Sequence, residues 1–154
     1  MTELEIGISK VEGAIKKMNI DPNLCKGDKV GQYNMVHGSV NVWIDVWHIE
    51  RENRAYFQVM SPIMNLANVT DKLGLFEELL KLNDSFYNVA FTMYDNSIWL
   101  KSIREVHGLD EDEVVAQIRR IGNYGDQHDD VLKQKYDTTY VAPSIDRTAG
   151  SPPQ

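Results

Sequence analysis

The segment LLKLNDSFYNVAFTMYDNSIWLKS, residues 79–102, passes from helical to strand periodicity within a few residues. Its leucines close a helix near Leu82. Two β-rich runs follow, Phe86 to Tyr94 and Ser97 to Ile103. Only Asp95-Asn96 lies between them, and both residue types tolerate the left-handed backbone that a two-residue hairpin turn demands. A connection that short cannot carry a parallel crossover, so these strands are antiparallel.

Working upstream, Thr70 caps a helix over about 71–82. Before it, period-two alternation from Gly31 to Ser61 predicts a three-stranded meander. Its strands are Gln32 to His37, Val40 to Ile49, and Ala55 to Met60, the last two joined through ERENR (50–54) and the last ended by Ser61-Pro62. Val42, Ile44 and Val46 point one way, and Trp43, Asp45 and Trp47 the other. At the amino terminus Leu4, Ile8, Val11, Ile15 and Met18 form one helical stripe over about 3–18. Thr2 and Glu5 make a capping box, and Asp21-Pro22 ends the helix.

Downstream, Asp110 caps a helix that reaches about Tyr136 and that Gly122 and Gly125 weaken by about 1 kcal/mol each, enough to kink it. The order α-β-β-β-α-β-β-α defines an α+β domain with a single antiparallel sheet. A length of 154 residues suits one domain, expected over 1–136, with 137–154 a flexible C-terminal tail rich in Pro, Ser and Thr.

Composition narrows the function. A formal charge of −7 and a pI near 5.0 oppose binding to nucleic acid or an anionic membrane, which rests on clustered Lys and Arg. No apolar run approaches the roughly 20 residues of a bilayer span. A glutamate-bearing start, unlike a secretory signal, and one cysteine favour the cytoplasm.

Chemistry is poorly marked. Cys25 has Lys26 and Lys29 nearby, which would favour its thiolate, but no positioned base accompanies it and a free loop thiol is the stronger reading. His37, His48, His107 and His128 lack metal-ligand spacing, and Asp110 to Glu113 fits helix capping better than a calcium loop. Neither a phosphate-binding loop, a dinucleotide fingerprint nor a nucleophile elbow occurs. The expectation is a chain without catalytic residues, metal or cofactor.

Two surfaces instead suggest protein contacts. Around the 71–82 helix Leu75, Leu79 and Leu82 take one flank and Leu73, Phe76 and Leu80 the other. The apolar arc covers about half the circumference, more than one core contact requires. A homodimer seam through Leu75, Phe76, Leu79 and Leu82 would bury the excess; the alternative is that the flanking helices cover both sides within one chain. On the meander, Trp43 and Trp47, with Tyr56 on the next strand, form a candidate partner-binding face. They are ordinary core instead if the N-terminal helix lies over them.

The segment 79–102, followed by HGLDEDEVVAQIRRI (107–121), resembles the YbjN-like family of bacterial sensory transduction regulators, which is similar in fold to type III secretion chaperones. The resemblance covers about 3–136 and implies a homodimeric, cofactor-free protein binder with no catalytic residue to carry over. The Trp43/Trp47 strand and the glycines of the last helix depart from the family. The leading expectation is a chaperone-like homodimer holding a segment of an unidentified protein partner. The alternative is a regulator of a bacterial signalling or stress-response protein that binds a folded domain, and a small-molecule enzyme or sensor is the weakest reading.

Overall fold

Three helices and five strands appear in the expected order in the computed structural model, which describes residues 1–142. They are α1 (Glu3–Lys17), β1 (Gln32–His37), β2 (Val40–Ile49), β3 (Arg54–Asn65), α2 (Lys72–Ser85), β4 (Ala90–Tyr94), β5 (Ser97–Glu105) and α3 (Glu111–Tyr136). All pairings are antiparallel, in the spatial order β1-β2-β3-β5-β4. The second hairpin therefore docks with β5 inward and β4 outermost.

Local chemistry accounts for most boundaries. At α1 the Glu5 N–H donates to the Thr2 hydroxyl at 3.1 Å and the Thr2 N–H donates to the Glu5 carboxylate at 2.9 Å, which satisfies two free amides of the first turn. Asp95 and Asn96 adopt φ of 48° and 57°, the left-handed pair a tight hairpin needs. Asp110 accepts from the Glu113 N–H at 2.8 Å and starts α3.

Four expectations are corrected. Ser61-Pro62 does not end β3, which continues to Asn65. The β2–β3 pairing stops at Met60, and the register against β5 shifts between Pro62 and Met64, so the proline sits at an irregular margin where no ladder amide is required of it. The cap of α2 is Asp71, whose carboxylate accepts from the Gly74 N–H at 2.9 Å, not Thr70, and the helix runs on to Ser85. Phe86 to Val89 consequently form a loop, with Asn88 at φ 57°, instead of the start of β4.

The fourth correction concerns α3, which stays helical through Gly122 and Gly125. Both are points of close approach. A Cβ on Gly122 would lie 2.5 Å from the His37 ring, and one on Gly125 would lie 3.0 Å from a Val40 methyl. The missing side chains let α3 settle against the β1–β2 hairpin, where Ser39 Oγ lies 2.8 Å from the carboxylates of both Asp126 and Asp129. The Ser39 N–H, and then its hydroxyl, hold the Asp126 carboxyl below its ordinary range.

α1 and α3 lie side by side on one sheet face. Beneath them Val42, Ile44, Phe57, Val59 and Leu100 are wholly buried with Val11, Ile15, Ile118 and Ile121 of the helices. Past α3, Asp137 bridges to Val69 and the Thr138 N–H donates to the Asn68 carbonyl at 3.0 Å, so the chain remains fixed to the domain beyond the expected boundary at 136. The remainder of the expected tail, 143–154, lies outside the described residues.

Candidate partner-binding face

Among the described residues the other sheet face carries no helix, because α1 and α3 both pack on the Val42 side. Trp43 and Trp47 thus belong to an uncovered surface. Cross-strand register makes that surface continuous: Asn34, Trp43, Met60 and Lys101 form one row, Gln32, Asp45, Gln58 and Ile103 the next, and Trp47 and Tyr56 a third. Trp43 is 39% exposed and its ring lies 5.2 Å from that of Trp99 on β5, tilted by 56°. Trp47 stacks on Tyr56 at 5.9 Å and 26°. Such pairs hold each other's rotamers and present rigid apolar area at small entropic cost.

Asp45 stands between the two aromatic pairs. Partial burial among them pushes its carboxyl above the usual range, and the amides of Gln32 and Gln58 offset this in part. A hollow of about 370 Å³ opens beside it, lined by Lys29, Val30, Gln32, Trp47 and Gln58. The Tyr56 hydroxyl donates to Glu52 at 2.6 Å, which raises the phenol's pKa and fixes the ring.

Trp99 escaped the sequence reading although it sits in the segment 79–102. Ile98, Trp99 and Leu100 form an unbroken apolar run, and only the register with β3 shows that the middle residue faces away from the core.

The sheet edges are less open than the face. Along β1, the Asn34 N–H donates to the Cys25 carbonyl at 2.7 Å and the Gly27 N–H to the Gln32 carbonyl at 2.8 Å, so residues 25–27 cover its first half. Along β4, the side-chain amide of Asn83 accepts from the Phe91 N–H at 2.7 Å and donates to the Phe91 carbonyl at 3.3 Å. Asn83, at the end of the leucine-rich helix, thereby occupies the outer hydrogen-bonding pair of that strand.

On α2 the residues expected at a seam turn largely inward. Leu75 and Leu79 are buried in their own chain, and Phe76 and Leu82 are half-buried against the same core. The residues left outside are Leu73, 81% exposed, and Leu80, 69% exposed. Leu80 and Phe76 continue across a groove of about 210 Å³ to Phe91 and Met93 of β4. The helical wheel showed two apolar flanks without showing which one meets the sheet.

Cys25 is buried, and desolvation followed by the charge of Asp21 pushes its thiol up, the reverse of the activation that Lys26 and Lys29 suggested. None of the described helices is long and apolar enough to cross a membrane.

The five-stranded antiparallel sheet with three helices, in the order α-β-β-β-α-β-β-α, is a fold shared with solved type III secretion chaperone structures. Over 81% of its length the chain superimposes on 92% of a chain of the ExsC–ExsE complex, with a TM-score of 0.58 and 10% identity. Over 82% it matches 98% of a chain of the HopA1–SchA chaperone–effector complex, with a TM-score of 0.59 and 7% identity. The chain belongs to the family TY-Chap1, described as type III secretion (YopN, CesT) and YbjN peptide-binding chaperone 1, which it matches over residues 8–141. No protein of curated function matches it by sequence.

Proposed function

We propose that the chain is a non-enzymatic cytoplasmic homodimer that binds a segment of a partner protein on the open face of its sheet. The aromatic pairs Trp43–Trp99 and Trp47–Tyr56 on the open face carry this reading. Large aromatics on an unpartnered face mark a contact surface, and here they are held in pairs with no helix of the described residues above them. Membership in a peptide-binding chaperone family supports it, as does the similarity to a chaperone–effector complex. With Asn83 and residues 25–27 occupying parts of the outer strands, side-chain anchors on the face carry more of the affinity than strand addition does.

Dimerisation is assigned to the outward flank of α2, with Leu73, Phe76 and Leu80 joined by Met93 of β4. Left wet, that strip costs about 25 cal/mol per Å² of apolar area. A two-fold contact is the simplest way to cover it.

The test is quantitative affinity capture with wild type, a Trp43→Ala/Trp47→Ala variant and a Leu80→Glu variant, with hydrogen exchange mapped on the captured complex. A protein enriched by wild type and lost from the tryptophan variant, with protection on β2 and β3, supports the reading. Identical captures by both would reject the face.

A further inference from the structure

Asp45 presents a problem that the chain does not solve for itself. Its cross-strand neighbours are Gln32 and Gln58, both neutral, and it forms no ion pair among the described residues. None of the nearby described cationic side chains forms an ion pair with it. Lys29 shares the lining of the adjoining hollow without an ion pair to Asp45, Lys101 lies one row away beside Met60, and Arg54 is engaged by Glu3 and Glu105. A carboxylate kept half-buried between aromatic pairs, with room beside it, is arranged for a charge that arrives from outside.

We propose that Asp45 receives a lysine or arginine of the bound segment, whose stem lies along Trp47 and Tyr56 while apolar residues to either side rest on Trp43 and Trp99. The inference rests on the reading of the open face as the binding surface and adds to it the chemistry of the occupant. Three features select a basic segment. The carboxylate supplies the counter-charge, the indole and phenol faces favour a cation, and the chain's net charge of −7 attracts basic segments over distance. Desolvation of Asp45 agrees with this, since an incoming cation removes the penalty on its charged form.

The experiment uses the full chain and three fluorescein-labelled peptides of identical apolar residues with a central arginine, glutamine or glutamate, read by anisotropy. Wild type should prefer arginine over glutamine by about tenfold. Asp45→Asn should abolish that preference without unfolding the protein, and Asp45→Lys should favour glutamate. Equal affinity for all three peptides, with binding lost in Trp47→Ala, would overturn the cation site but keep the binding face. Binding of none would overturn both. Sedimentation showing that Trp47→Ala, and not Leu80→Glu, dissociates the protein would give the face to a second copy of the chain and overturn the proposal.

Discussion

The two faces of one sheet carry opposite chemistry on the same strands. In β2 the odd positions Trp43, Asp45 and Trp47 lie open, while the even positions Val42, Ile44 and Val46 are buried beneath α1 and α3. The buried set is aliphatic and tightly covered. The open set pairs large rings around a carboxylate that is energetically out of place. A fold needs only one of these faces to be stable, so the cost accepted on the other points to use rather than to architecture.

The largest effect should come from the closed face. Phe57 is wholly buried, and Phe57→Ala should lower unfolding free energy by about 3–5 kcal/mol in urea titration. Were the loss below about 1 kcal/mol, the helix-covered face would not be the core and the contrast would disappear.

Next comes the contact of α3 with the β1–β2 hairpin. Alanine at a helical glycine normally gains about 1 kcal/mol. At Gly122 the new methyl would meet the Cβ and Cγ of His37 at under 3 Å, atoms near the backbone that cannot swing aside. Gly122→Ala should therefore destabilise by about 1–3 kcal/mol, and adding His37→Ala should restore most of the loss. A stabilised single variant would show that α3 rides higher above the sheet.

Much of this was legible before any coordinates. Alternation in β2, the Asp95-Asn96 turn and the Thr2/Glu5 box are local signals, and they placed every element in order. The misreadings came where tertiary context prevailed. Pro62 is allowed because the β2–β3 pairing has already stopped at Met60. The glycines of α3 answer to a neighbour far away in sequence. Of the two leucine flanks of α2, only packing decides that Leu75 and Leu79 go inward and Leu73 and Leu80 outward. In the candidate site Trp43, Trp47 and Tyr56 could be read as one cluster from register, whereas Trp99 needed the β3–β5 pairing to join them.

Carboxylates on the two sides should respond to acid with opposite sign. Glu78 of α2 accepts from the Tyr136 hydroxyl of α3 and from Lys135, which together hold its carboxyl below the ordinary range. Its contribution to stability is complete above the unfolded-state value near 4.5 and is lost as pH falls through the lower folded value. Asp45 is raised by burial, so its charge is a penalty at neutral pH that fades as pH falls through the raised value toward 3.8. Glu78→Gln should flatten the acid limb of stability between pH 5 and 2 (about that window), and Asp45→Asn should steepen it. Tyr136, pushed up to about 12 by the same contact with Glu78, should lose its share only when pH rises from about 10 through that value. The same sign for both carboxylate variants would erase the distinction between the faces.

The smallest effect on stability should come from Trp43 on the open face. Trp43 touches Trp99 across strands but has no helix above it, so Trp43→Ala gives up one ring pair and little enclosed area. The cost should be about 1 kcal/mol, since an aromatic pair contributes roughly 0.5–1.5 kcal/mol beyond its area. Phe57, three strand positions from the row of Trp43 and on the reverse side of the sheet, should cost several times more when truncated. If the two alanine variants unfold at the same urea concentration, the tryptophans are core and the open face is a second closed one. If they differ as expected, the protein keeps its shape without Trp43, and the indole is free for the contact proposed on the open face.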